Sequence, residues 1–165
     1  MEIKLATIES LEQLYTFLLP QYGATYVNDR GITKDMFSEE VFGEFLKEYI
    51  KKQINNENMK FYYGEINHEI VGTIGIDNSE AVPEIWGFYV DQKNQNQGYG
   101  KTLWNYITQT VLEENQKIML TVAHDCKIAK AFYESRGFKV VGEVVWDWPN
   151  WLEQKSKNQY WIMEN

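Results

Sequence analysis

A Gly-bearing turn at residues 95–100 (QNQGYG) has the residue types and spacing to bind an anion. The turn follows the apolar run at 85–90 and precedes a helical pattern that starts near Tyr99. Backbone N–H groups in the first turn of a helix lack intrahelical partners, and the helix dipole adds positive potential there. Because Gly98 and Gly100 let a phosphate approach the backbone, the turn suits a phosphate-bearing cofactor. Glycines that serve only a strand-to-helix turn would explain the same residues equally well.

The glycine spacing does not fit two common phosphate loops. A Walker loop needs a glycine, four further residues and then Gly-Lys-Ser/Thr, and the dinucleotide fingerprint needs three glycines spaced G-x-G-x-x-G. The turn supplies neither set. What remains is the pattern Q-x-x-G-x-G after a strand.

Cysteine and histidine are scarce in this chain. It has one cysteine, Cys126, and two histidines, His68 and His124, which are far apart in the sequence. A single cysteine forms no internal disulfide, as expected for a reducing compartment. We therefore expect no metal site.

The net charge of −8 over 165 residues argues against nucleic acid as a partner, since phosphates demand a basic face. An acidic surface favours a cationic partner, although solubility alone explains such a charge as often. The N-terminus lacks the basic flank and apolar core of a signal peptide. No apolar run approaches the length of a membrane span. We therefore expect a cytoplasmic protein without a membrane segment.

The pattern of apolar residues predicts one compact mixed α/β domain over residues 1–165. Ser10 followed by Gln13 resembles a capping box, and it predicts a helix that Pro20 ends. Gly137 suits the end of a later helix. In chain order we expect a strand at 3–6, helices at 10–19 and 38–54, strands at 61–66, 70–76 and 84–90, a helix at 99–115, a strand at 118–122, a helix at 127–136, and strands at 138–145 and 160–163.

Two motifs resemble those of the GCN5-related N-acetyltransferases (GNAT). The strand EIWGFYV at 84–90, followed by Q-x-x-G-x-G, is similar to the acetyl-CoA-binding motif of that family, and AKAFYESRGF at 129–138 looks like its A-x-x-F-Y-x-x-x-G-F helix. The resemblance covers essentially the whole chain. It implies a GNAT-like acyl-CoA N-acyltransferase fold, with a central, twisted, mostly antiparallel sheet that has one splayed parallel pair of strands and flanking helices. Many members carry Asn where this chain has Cys126, which leaves one polar contact to the cofactor arm open.

In that family the turn binds the pyrophosphate of acetyl-CoA, so the resemblance implies acetyl-CoA as co-substrate. The pantetheine arm resembles an added strand where two parallel strands splay apart. Gly87 suits such a splay, with room for a packed Trp86 as the alternative. The implied cofactor-binding residues are Phe88, Tyr89, Val90, Gln95, Gln97, Gly98, Tyr99, Gly100, Lys101, Thr102 and Cys126.

The resemblance also implies a catalytic pair. Tyr133 matches the family tyrosine that acts as an acid near the sulfur, and Glu84 matches a frequent position for the base. Each has a plainer explanation: a packed helix aromatic for Tyr133, and a solvated strand-end carboxylate for Glu84. A backbone N–H near 88–90 would serve the carbonyl oxygen. The implied reaction is direct acetyl transfer to a primary amine in a ternary complex.

The acceptor in such enzymes lies across the early helices and the loop between the last two strands. Trp146 and Trp148 in that loop, with Tyr26 and Asp29 opposite, suit a cationic amine. We therefore expect a small cationic molecule such as a polyamine. The tryptophans would equally well plug the end of the sheet or form a homodimer interface. Two other functions stay open: a sensor that binds acyl-CoA without turnover, and an acetyltransferase for a protein or peptide amine.

Overall fold

The computed structural model describes residues 1–29, 31–113, 116–146 and 158–165. Its succession of strands and helices is the one that the sequence predicts, although α3 and α4 end earlier than expected. The elements are β1 (Glu2–Leu5), α1 (Leu11–Tyr26), α2 (Glu39–Ile54), β2 (Met59–Ile66), β3 (Glu69–Asp77), β4 (Glu84–Val90), α3 (Tyr99–Thr110), β5 (Met119–Ala123), α4 (Lys127–Glu134), β6 (Lys139–Trp146) and β7 (Asn158–Glu164).

These seven strands form one sheet in the order β1-β2-β3-β4-β5-β7-β6. Neighbouring strands are antiparallel except for β4 and β5, which run parallel. Residues 70–76 of β3 are all buried, as expected for a strand in the middle of a sheet that has both faces covered. Asn67 and His68 make the β2–β3 turn with φ of 50° and 66°, which suits a two-residue hairpin. The predicted fold class is confirmed.

Helices cover both faces of the sheet. On one face, Leu14 of α1 and Phe42 of α2 belong to one buried cluster. On the other, Leu103 of α3 packs in a second cluster with Ile74 of β3 and Leu120 of β5. Burial of each such side chain favours folding by about 1.5–3 kcal/mol. No helix within the described ranges is long and apolar enough to cross a membrane.

The first helix corrects one prediction, because α1 continues through Pro20 to Tyr26. The capping box also lies one turn earlier than predicted, between Thr7 and Ser10. A proline inside a helix removes one backbone hydrogen bond. Here the turn after it buries Tyr22, whose ring lies 5.2 Å from that of Phe42, and this packing outweighs the lost bond. The longer helix brings Tyr22 and Tyr26 to the sheet edge described below.

Candidate active site

Strands β4 and β5 are paired at one end and separate beyond it. Within the described residues their parallel pairing comprises Glu84 with Met119 and Ile85 with Leu120. The remainder of β4 pairs with β3 alone. The two strands therefore open a V-shaped gap, and the edge of β4 that faces this gap is available to an extended ligand.

A β-bulge at Gly87 accounts for this divergence. Trp86 pairs with Gly75 and Tyr89 pairs with Thr73, so three steps along β4 match two steps along β3. Gly87 has a φ of +56°, and its carbonyl accepts a 2.7 Å hydrogen bond from Thr73 Oγ1. The glycine that makes room for Trp86 is Gly75, because a Cβ at that position would overlap the indole ring.

The turn at 95–100 leads directly into α3. Gly98 caps the helix with a φ of +85°, and no atom lies within 4 Å of the place where its Cβ would be. Conformation rather than space therefore requires glycine there. The first recorded i to i+4 bond of the helix runs from the Thr102 N–H to the Gly98 carbonyl at 3.0 Å. The N–H groups of residues 99–101 thus have no acceptor within the helix and face outwards as an anion site.

Side chains hold this turn in place. Gln95 Nε2 donates to the Val90 carbonyl at 3.2 Å, and Gln97 Nε2 donates to the Lys93 carbonyl at 3.0 Å. The Thr102 hydroxyl donates to the Gly98 carbonyl at 3.2 Å. Three of the predicted cofactor residues therefore support the turn with their side chains.

A cavity of about 950 Å³ includes both the turn and the gap between β4 and β5. Its wall contains the predicted cofactor residues except Gln97 and Thr102. A Cβ on Gly100 would lie 3.4 Å from Val90 Cγ2, so α3 packs closely on β4 and brings its free N–H groups to the cavity. Free N–H groups at one end and an open strand edge along the length fit a phosphate-bearing ligand with an extended arm, as acetyl-CoA has.

Tyr133 lies in the cavity wall and is also part of the core, at 6% exposure. Its ring is 5.8 Å from that of Trp104. Burial raises the pKa of Tyr133 well above its usual value, Cys126 and Tyr26 raise it further, and the Arg136 guanidinium opposes them. The hydroxyl therefore stays protonated at neutral pH and is available as a proton donor.

Glu84, the first residue of β4, is half-buried in the same wall, so it is not a solvated strand-end carboxylate. Burial raises the pKa of Glu84, and the charge of Asp77 raises it further. A hydrogen bond from Thr121 Oγ1 at 3.4 Å acts in the opposite direction. A carboxylate with a raised pKa is a stronger base, which suits proton removal from an amine.

Only one of the four predicted acceptor-binding residues lines the cavity within the described part of the chain. Tyr26 lines the cavity, and its hydroxyl lies 3.0 Å from that of Tyr89. Asp29 is exposed and does not line the cavity, because α1 extends as far as Tyr26 and Asp29 falls in the connection beyond it. The side chain of Trp146 and all of Trp148 lie outside the described residues.

The cavity also contains residues that the sequence did not point to. Tyr49 fits the apolar periodicity of α2, and Asp77 follows a predicted strand, so neither stands out in the sequence. Only the register of β3 against β4 brings Asp77 beside Glu84. Among the missed residues of the wall are Tyr49, Asp77, Trp86 and Thr121.

Comparison with known proteins identifies the class of this chain. The family described as "Acetyltransferase (GNAT) domain" matches residues 20–147. The PaiA N-acetyltransferase of Thermoplasma acidophilum, solved in complex with coenzyme A, is 20% identical, with a TM-score of 0.69 over 100% of this chain and 99% of that one. A ribosomal-protein-alanine N-acetyltransferase from Brucella melitensis is 17% identical, with a TM-score of 0.68 over 100% and 99%. A mutant spermidine N-acetyltransferase from Vibrio cholerae is also 17% identical, with a TM-score of 0.63 over 99% and 94%. All three share the fold.

Proposed function

Because this chain belongs to the GNAT family of N-acetyltransferases, which use acetyl-CoA as co-substrate, we propose that it acetylates a primary amine of a small cationic molecule such as a polyamine. One observation carries this proposal. A single cavity has free helix N–H groups in one part of its wall and two carboxylates among aromatic rings in another. Both substrates would be bound together, and the amine would attack directly.

On the donor side, the N–H groups of residues 99–101 bind the pyrophosphate, with the Lys101 ammonium adding positive charge. The backbone of residues 88–90 pairs with the pantetheine arm along the open edge of β4. Cys126, at the start of α4, lies on the opposite wall. Acetyl-CoA supplies the activated acetyl group; the chain's own residues orient it and manage the protons.

The reaction moves three protons. Glu84 accepts one from the bound ammonium, directly or through a water molecule, which leaves the neutral amine to attack, and its raised pKa suits that role. Tyr133 donates its hydroxyl proton to the departing sulfur, which suits a phenol that is fully protonated at neutral pH, and the second proton that the nitrogen loses as the amide forms restores the phenol. A backbone N–H in the segment 88–90 stabilises the negative charge that develops on the carbonyl oxygen.

Charge and ring composition support a cationic acceptor. Tyr49 and Trp86 lie beside Glu84 and Asp77, and aromatic faces with carboxylates attract ammonium groups. The chain as a whole carries −8, which steers cations towards it. Structures of a spermidine and of a ribosomal-protein acetyltransferase share the fold, so the fold alone does not choose between these acceptor classes. The two carboxylates and the net charge of −8 favour a small cationic acceptor over a protein amine.

The test is release of free CoA from acetyl-CoA with a panel of amines. The panel includes spermidine, 1,4-diaminobutane, an aminoglycoside, free amino acids and a peptide with a free N-terminus. We expect the highest kcat/KM for the small polycations. A clear preference for the peptide would indicate that the acceptor is a protein amine. Binding of CoA without turnover of any amine would favour a sensor.

A further inference from the structure

Asp77 is paired with Glu84 across the sheet. The two residues are Cα partners in the antiparallel pairing of β3 and β4, and Asp77 ends β3 where Glu84 begins β4. Side chains of opposite residues in an antiparallel pair share one face of the sheet, with Cβ atoms about 4.5–5.5 Å apart. Two carboxylates therefore stand side by side in the cavity wall.

No basic side chain in the described part of the chain forms an ion pair with either carboxylate. Glu84 accepts from Thr121 Oγ1, and Asp77 Oδ1 accepts from the backbone N–H of Ser79 at 2.8 Å and from its hydroxyl. Like charges opposite each other disfavour folding. A cationic ligand would supply the positive charge that balances this pair.

The charges of the cavity wall are divided between its parts. Lys101 and Lys127 belong to the starts of α3 and α4, where Asp125 also lies. Among the described residues of the wall, the charged side chains away from those helix starts are Asp77 and Glu84. The wall is thus built for anions at one end and for cations at the other.

Aromatic groups complete the acidic end. Burial raises the pKa of Tyr49 to about 12, with smaller contributions from Tyr26, Glu84 and Asp77, so this ring of α2 lies near both carboxylates. Trp86 stacks on Phe61 at 4.7 Å and meets Tyr49 edge-on at 6.3 Å. Ring faces beside carboxylates bind ammonium groups and their methylene chains.

We propose that Asp77 determines acceptor specificity by binding a second ammonium group, so that the enzyme prefers diamines to monoamines of the same length. This inference rests on the proposed function, in which Glu84 faces the amine that is acetylated. The Cβ spacing of about 4.5–5.5 Å in such a pair suits an acceptor whose nitrogens are separated by three or four methylene groups. Asp77 is a binding residue in this scheme and takes no part in proton transfer.

The test compares kcat/KM for 1,3-diaminopropane and 1,4-diaminobutane with that for propylamine and butylamine. Wild type is expected to prefer the diamines at least tenfold. Asp77→Asn keeps the oxygen that accepts from Ser79 but removes the charge, so it should lower kcat/KM for diamines about tenfold, chiefly through KM. At a pH above the acid limb, where Glu84 is in its base form in both proteins, the same variant should lower kcat/KM for monoamines far less than for diamines. Asp77→Glu should restore part of the preference.

Glu80→Gln is the matched control, because it removes one negative charge from an exposed residue of the following loop, outside the cavity wall. It should leave all four amines unchanged. Titration calorimetry of 1,4-diaminobutane into the CoA-bound protein gives a readout independent of turnover, and Asp77→Asn should weaken that binding tenfold. An equal loss for monoamines and diamines in Asp77→Asn would overturn the inference and indicate a structural role. Equal rates for monoamines and diamines in wild type would overturn this inference alone, whereas no turnover of any amine would overturn the proposed function as well.

Discussion

Tyr26 of α1 and Tyr89 of β4 meet through their hydroxyl groups, whose oxygens lie 3.0 Å apart. The ring of Tyr22 packs against both, at centroid distances of 5.6 Å and 5.5 Å. This aromatic cluster joins α1, on the proposed acceptor side, to β4, on the proposed donor side. Acceptor binding should therefore depend on the packing around Tyr89, and donor binding on the packing around Tyr26.

The first prediction concerns that hydroxyl pair. Tyr26→Phe and Tyr89→Phe should each lower the free energy of unfolding by about 1 kcal/mol, because each leaves one partly buried hydroxyl with a lost partner. The double variant should lose less free energy of unfolding than the two single variants lose together, because the contact they share is removed only once. Urea unfolding measures all three. Tyr26→Phe combined with Tyr106→Phe, in the other core cluster, should be additive; strict additivity of the Tyr26–Tyr89 pair would contradict the coupling.

The second prediction concerns the helix start at Gly98. Gly98→Ala forces a side chain into a left-handed conformation that costs about 1 kcal/mol. We expect it to weaken CoA binding several-fold, measured by calorimetry, because the N–H groups that follow are displaced. Gly98→Asn should weaken binding less, since Asn tolerates this conformation.

Gly137→Ala is the control for that experiment. Gly137 has a φ of +90° and open space around it, as Gly98 has, but it lies outside the cavity wall. This variant should lower stability by a similar amount and leave CoA affinity unchanged. Weakened CoA binding in Gly137→Ala would mean that general destabilisation explains the effect at Gly98.

The third prediction concerns Tyr133. Tyr133→Phe keeps the ring packed against Trp104 but removes the proton donor. We expect kcat to fall about 100-fold or more, as for loss of a general acid, with CoA affinity unchanged. Tyr62→Phe, at a buried tyrosine of the same cluster outside the cavity wall, should keep full activity. Full kcat in Tyr133→Phe would remove this residue from the proposed chemistry.

The fourth prediction concerns the pH dependence of kcat/KM. The proposed mechanism requires the base form of Glu84, so activity should rise with pH through the raised pKa of this carboxyl. Asp77 raises that pKa, Thr121 lowers it, and Tyr49 lies nearby from α2. Asp77→Asn should therefore move the acid limb of the profile to lower pH. If the acid limb of Asp77→Asn lies at the same pH as that of wild type, a group other than Glu84 causes it.

The fifth prediction follows from the same carboxyl and concerns stability. Because the pKa of Glu84 is higher in the folded state than in the unfolded state, the folded protein binds this proton more tightly. The stability that the proton contributes is present below the unfolded-state pKa and is lost as pH rises through the folded-state pKa. Glu84→Gln should therefore raise the urea midpoint at pH 7 while it lowers activity. A lower midpoint would contradict the raised pKa.

The sequence predicted the structural elements on the proposed donor side better than those on the proposed acceptor side, for physical reasons. The glycine turn and the helix with Tyr133 are local features, and their conformations depend on neighbours in the chain. The continuation of α1 past Pro20 depends instead on packing of Tyr22 against Phe42. The proximity of Asp77 to Glu84 depends instead on the register of β3 against β4. A bulge at Gly87, three residues after Glu84, shifts that register, and the sequence does not show the shift.

The two-residue pairing of β4 with β5 divides the sheet into two ladders, β1–β4 and β5–β7. In the proposed binding mode, a donor between the diverging strands supplies hydrogen bonds that the sheet itself lacks there, so it links the two ladders. Amides beside the seam should exchange with solvent faster in the free protein than in the CoA-bound protein. On this proposal, donor binding stiffens the junction between the two ladders in each turnover, and CoA release relaxes it again.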